Sequence, residues 1–160
     1  MSKRRLALVL GLVIGVAAIV PVVALAGRDG GGHHRGGELL LGFDLAFTGP
    51  TSTAGTFVAS GAVDDAGTST VTDLALAPFG RGDRARLSGT QTFAGANGTI
   101  VTAFEGVAGD VSQAHQYGQG RFWIVSGSGA YAGARGGGRF TIVVDAAGNR
   151  LIGTEEGRIR

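Results

Sequence analysis

The sequence holds no cysteine, one tryptophan, one methionine and three prolines in 160 residues. Without cysteine there is neither a disulfide framework nor a thiol for lipid attachment, so stability has to come from a packed core. Lysine occurs once, at Lys3, and is followed by arginine. A phosphate-cradling P-loop needs lysine followed by serine or threonine, so that chemistry is excluded. The three histidines are no better placed for a metal: His33 and His34 are adjacent in a glycine-rich stretch, and His115 stands alone, without a second ligand at metal-binding spacing. No metal and no cofactor are assigned. Long glycine-free stretches are missing as well. Beyond residue 26 the longest is Thr68 to Phe79, which is rich in β-branched residues. Each interior glycine costs a helix about 1 kcal/mol, so helices are disfavoured throughout. A single helical turn is allowed at Asp110 to Tyr117, where Asp110 and Gln113 have capping-box spacing.

What is present begins with a targeting segment. Lys3, Arg4 and Arg5 form a positive head, Leu6 to Val20 is uncharged and apolar, Pro21 breaks the run, and Ala24-Leu25-Ala26 offers small residues at both positions read by a signal peptidase. Residues 1–26 therefore read as a signal peptide cleaved after Ala26, and the protein as secreted. A retained anchor is the competing reading, since the apolar stretch from Leu6 to Ala26 is long enough for a bilayer core of about 30 Å; membrane contact is expected only through this segment if it stays uncleaved. Arg4-Arg5 also fits a twin-arginine export signal, although two basic residues are ordinary in a signal head. The formal charge of +2 owes three positive side chains to this segment. Beyond it, arginines are interspersed with slightly more numerous acids, and no basic stripe marks a nucleic-acid surface. Nucleic acid is excluded as a partner. The remaining length suits one domain.

Gly27 to Gly37, "GRDGGGHHRGG", lacks apolar periodicity and reads as a flexible linker. From Glu38 the period is two. In "ELLLGFDLAFTG", Leu39, Leu41, Phe43, Leu45 and Phe47 alternate with smaller or polar residues, the pattern of a half-buried strand. Similar runs cover Gly55 to Val63, Thr68 to Leu76, Ala85 to Ala94, Thr99 to Val107, Arg121 to Val125, Arg139 to Asp145 and Arg150 to Ile159. Eight short strands with turn-like connections form a sandwich or close into a barrel; closure removes exposed edges, which favours an all-β, eight-stranded antiparallel up-and-down barrel over 38–160. Asn97-Gly98 reads as a type I′ hairpin turn, with positive φ at both positions, and Gly148-Asn149 plays a similar part. Asn97-Gly98-Thr99 also matches a glycosylation acceptor, but the turn accounts for the asparagine without it.

Two stretches resemble each other. "FAGANG" at Phe93 to Gly98 and "YAGARG" at Tyr131 to Gly136 share aromatic-Ala-Gly-Ala-x-Gly, and each is followed by Thr-Ile-Val. Both read as hairpin ends at which the aromatic folds back over the open end of the core. Tyr131 is then a packing plug rather than a catalytic phenol, and Arg135 a turn or rim charge. Gly127, Gly129 and Gly133 have G-x-G-x-x-x-G spacing before a strand, so the dinucleotide fingerprint, G-x-G-x-x-G before a helix, fails in spacing and context.

The stretch Ile124 to Ile142, "IVSGSGAYAGARGGGRFTI", resembles the G-T-G-x-[FY]-x-x-A-R-G hairpin of the allene oxide cyclase and dirigent barrel group, especially its small secreted bacterial relatives, through Gly127, Gly129, Tyr131, Ala134, Arg135 and Gly136. The resemblance implies an eight-stranded antiparallel barrel, often trimeric, whose mouth accepts an apolar or phenolic ligand without a cofactor. As an enzyme it would be a cyclase, an isomerase or a guide of phenolic coupling. The catalytic positions of the plant members have no residue-by-residue match here, so no catalytic residue is assigned. Phe43, Phe47, Phe104 and Tyr131 are the ligand-binding candidates, as large side chains on strand faces or at a hairpin end. The alternative is a filled, non-catalytic barrel serving a structural or interaction role in the bacterial cell envelope.

Three further features bear on function. Glu105 is a carboxylate in an apolar strand, a setting that raises a pKa for acid–base work, although pairing with an arginine is the commoner fate. Arg81-Gly82-Asp83 spells an adhesion tripeptide, best read as chance in an arginine- and glycine-rich loop. "RFWIV", Arg121 to Val125, is apolar on both faces, Phe122 and Ile124 on one and Trp123 and Val125 on the other. One of these faces needs cover from outside a simple barrel wall, either from a neighbouring subunit, and hence in a homo-oligomer, or from the chain's own tail.

Overall fold

Strand alternation produces a closed barrel. The computed structural model describes residues 36–80, 83–109 and 115–160, the side chain of His115 excepted. The targeting segment, the linker up to residue 35 with His33 and His34, Arg81 and Gly82, and residues 110–114 of the expected helical turn lie outside the described residues; His115 to Tyr117 are strand. Eight strands run in chain order: β1 Gly37–Gly49, β2 Ser52–Gly61, β3 Asp65–Pro78, β4 Ala85–Gly95, β5 Gly98–Gly109, β6 His115–Gly129, β7 Gly136–Asp145 and β8 Arg150–Ile159. Every neighbour pairs antiparallel, and β1 pairs with β8 from Gly37↔Ile159 to Ala46↔Arg150, closing the sheet. No sheet edge is left for another strand to join.

Away from bulges, the inward residues of each strand share one parity. On β1 these are Leu39, Leu41, Phe43 and Leu45, all buried; on β5, Ile100, Thr102 and Phe104; on β8, Leu151, Gly153, Glu155 and Ile159. Eight strands leave a lumen just wide enough for side chains, so large residues have to lie over small ones. The Phe43 ring lies over Gly153, where an added Cβ would stand 2.6 Å from its Cζ. Phe104 lies over Gly89 and Phe140 over Gly106, each with its Cζ 2.7 Å from where a Cβ would be. Phe104 and Phe140 meet edge to face at 5.6 Å, and Phe57 meets Phe93 likewise at 5.2 Å. These three strand glycines thus give room in the lumen to rings from other strands.

Bulges adjust the wall. Asp73, at φ 57, sits in the irregularity between Thr72 and Ala75 of β3, and the Leu74 N–H donates to the Thr51 carbonyl at 3.0 Å. On β6, Ser126 and Ile124 oppose the adjacent residues Val101 and Thr102, so Val125 is the extra residue. Phe122 is buried and Ile124 packs against the core, whereas Trp123 and Val125 face outward and are exposed.

Two expected turns differ from observation. The β4–β5 hairpin closes at Gly95↔Gly98, so its central residues are Ala96 and Asn97, and Asn97 has no positive φ. A different demand fixes the asparagine: its N–H donates to Asp65 Oδ1 at 3.2 Å and its Nδ2 to the Asp64 carbonyl at 2.8 Å. Asn149 does adopt positive φ, at 52°, and its Nδ2 donates to the Phe47 carbonyl at 3.3 Å. The likeness of "FAGANG" to "YAGARG" is also limited. Phe93 is an inward strand residue opposite Ser69 and Ile100, while Tyr131 belongs to the loop after β6.

Candidate functional site

The two barrel ends have opposite characters. At the end of the β2–β3, β4–β5 and β6–β7 connections, the hairpin after β6 folds inward. Gly129 and Gly133 take φ of 60° and 75°, the left-handed conformations such a reversal needs, and the chain drops Tyr131 into the hydrophobic core with no exposed surface. Its hydroxyl donates to Asp65 Oδ2 at 3.3 Å, while Asp65 Oδ1 accepts the N–H groups of Ala66 and Asn97. Burial, and after it the nearby Asp65 carboxylate, push the phenol pKa well up, so Tyr131 holds its proton. The Ala130 N–H reaches the Asn97 carbonyl, and Arg135 and Arg160 exchange backbone hydrogen bonds that tie the last residue to this plug. Ala134 is buried, Arg135 is exposed, and Gly136, at φ 138, opens β7. At Gly127 a Cβ would run into the backbone of Tyr131.

The opposite end holds a cavity of about 80 Å³. Phe43, Phe47, Phe104, Phe140, Val71, Leu87 and Leu151 form its walls, with Leu74, Leu76, Ile142 and Val144 toward the rim. Of the expected ligand-contacting residues, Phe43, Phe47 and Phe104 come together here. Tyr131 does not: the chain reversal after β6 places it in the plug at the other end.

Four polar side chains line the cavity: Thr53, Gln91, Gln116 and Glu155. Gln91, 3% exposed, donates from Nε2 to Ser69 Oγ at 2.9 Å. Glu155 is 1% exposed, and its Oε1 accepts from Thr102 Oγ1 at 3.0 Å across the lumen. Burial pushes the Glu155 pKa up to about 8; the Thr102 hydrogen bond opposes the rise but does not cancel it. The acid is thus mostly protonated at neutral pH. Its Oε2, and the hydroxyl of Thr53, are buried oxygens without a hydrogen-bond partner among the described residues. Unsatisfied buried polar atoms are rare in folded proteins, and both of these belong to side chains that line this cavity.

Glu155 escaped sequence reasoning, which singled out Glu105. Glu105 faces outward, exposed, opposite Arg121 on β6. The parity of Leu151, Gly153, Glu155, Gly157 and Ile159 carried the missing signal, blurred by Ile152 on the outward parity and by the neighbouring Glu156. Among the described residues no group of three or more His, Cys, Asp or Glu side chains is arranged to hold a metal ion. Compared with models of known protein families, with curated proteins and with solved structures, the chain matches none.

Proposed function

We propose that the protein is an exported barrel that binds a small apolar or phenolic ligand at its mouth, without a cofactor. The carrying observation is the asymmetry of the lumen: one end sealed by Tyr131, the other an apolar cavity with a buried, half-satisfied carboxyl group at Glu155. Small-molecule sites share this composition, apolar walls with a few convergent polar groups. At about 80 Å³ the cavity is smaller than the roughly 150 Å³ that encloses a benzene ring. A ligand therefore inserts one end and leaves the rest at the rim. The positive head, apolar run and Ala-Leu-Ala site of the first 26 residues support export, and the Gly127 to Gly136 hairpin supports kinship with the allene oxide cyclase and dirigent barrels. If the site is catalytic, it acts as a cyclase, an isomerase or a coupling guide, by shaping the ligand.

Native mass spectrometry of the protein exported from a bacterial host and purified without detergent tests this reading. A mass increment that extracts as a small apolar compound is expected. A bare protein mass, with no response to a panel of fatty acids and phenols, would contradict it.

A second reading, an interaction barrel of the cell envelope, draws on the outer wall. Tyr117, Val143 and Ile152 lie directly opposite one another on β6, β7 and β8 and are all exposed. Together with Trp123 and Val125 they favour self-association, expected as a trimer. Light scattering at micromolar concentration tests it, and a monomer would count against it.

A further inference from the structure

Glu155 leaves one hydrogen-bonding position in the cavity unfilled. Its Oε1 is engaged as an acceptor of the Thr102 hydroxyl, and its Oε2 has no partner among the described residues. Among the described residues no cationic side chain pairs with it. The other buried acid, Asp65, sits at the closed end and is already bonded by Ala66, Asn97 and Tyr131. A carboxyl group buried without counter-charge keeps its proton. With Oε1 accepting, that proton belongs on Oε2. The group so formed is a donor in an apolar pocket, and it lacks an acceptor.

We infer that the occupant is a slender apolar compound entering head-first, with a ketone or aldehyde oxygen that accepts a hydrogen bond from the Glu155 carboxylic acid. The inference rests on the ligand-binding reading above. An amine head group is disfavoured, because an ammonium ion would have to shed its hydration and ionise a carboxyl group that is itself buried. A hydrocarbon would leave the donor unpaired. The cavity volume admits the head alone, so the chain of the ligand lies along Leu74, Leu76 and Phe47 toward the rim.

The test uses 2-hexanone, hexane and hexylamine with the full chain near neutral pH, following affinity and the infrared carbonyl band of bound 2-hexanone. The band is expected at lower frequency than in hexane solution, as for a hydrogen-bonded carbonyl. In Glu155→Leu the preference for 2-hexanone over hexane is expected to fall about tenfold, the worth of one hydrogen bond. Glu155→Gln keeps an N–H donor and most of the preference. An unshifted band, an unchanged preference in Glu155→Leu, or tighter binding of hexylamine than of 2-hexanone overturns the inference while leaving a ligand site in place. Should Glu155→Leu fail to fold, the band in the unaltered protein decides. If none of the three compounds binds, the ligand-binding reading falls as well.

Discussion

At the residue scale, Glu155 sets a pH dependence with a definite sign. Its pKa is about 8 in the folded protein against an ordinary 4.5, so between these values the folded state keeps a proton that the unfolded chain has lost. Stability is full below pH 4.5, declines as pH rises toward 8 by up to about 1.4 kcal/mol per unit, and then levels off. Asp44 works in the opposite sense. The hydrogen bond from Arg150 holds its pKa below 3.8, so its contribution is lost only in more acidic solution, outside that window. Melting temperatures are expected to fall from about pH 5 to pH 8 in the natural protein and to stay level in Glu155→Gln. Gly153 supplies a second residue-scale expectation. A methyl group there meets both the Phe43 ring and the Thr141 carbonyl oxygen at 2.6 Å. Gly153→Ala should cost about 1–3 kcal/mol as overpacking, measured by denaturant unfolding.

At the element scale, the hairpin after β6 is the part that seals the barrel. Tyr131 contributes a whole buried ring, so Tyr131→Ala is expected to cost about 3–5 kcal/mol. Tyr131→Phe keeps the ring but takes the hydroxyl from Asp65 Oδ2, while Ala66 and Asn97 go on bonding Oδ1; leaving one buried oxygen without its partner is expected to cost about 1–3 kcal/mol. Chemical denaturation of the two variants separates packing from hydrogen bonding; equal losses would contradict the plug. This element was legible in the sequence, since an aromatic residue flanked by glycines at a hairpin end has few other uses. The equivalent reading of Phe93 was not. The expected strand Ala85 to Ala94 already held Phe93, but only register shows that it faces Ser69 and Ile100 inside the wall instead of folding back over the end, and register is a long-range property. The same limit hid Glu155: alternation gives two faces, and the closing β1–β8 pair settles which of Glu155 and Glu156 turns inward.

At the scale of the whole molecule, the eight alternating runs carried the strand number and antiparallel order, and the need to cover sheet edges carried closure. What alternation does not contain is the fill of the lumen. Whether Phe43, Phe104 and Phe140 meet in the centre or leave a space depends on the glycines opposite them, Gly153, Gly89 and Gly106, each on another strand. The three rings stand over these glycines and border the cavity, so the same glycine positions set both the packing of the lumen and the space left in it. The most direct measurement is a methyl-resolved NMR titration of the protein with phenol and 2-hexanone. Shifts are expected at Leu74, Leu87, Ile142 and Leu151 around the mouth, with Leu39, Ile100 and Ile159 at the sealed end unmoved. Shifts confined to the outward Leu40 and Ile152, or none at all, would contradict a ligand-binding mouth.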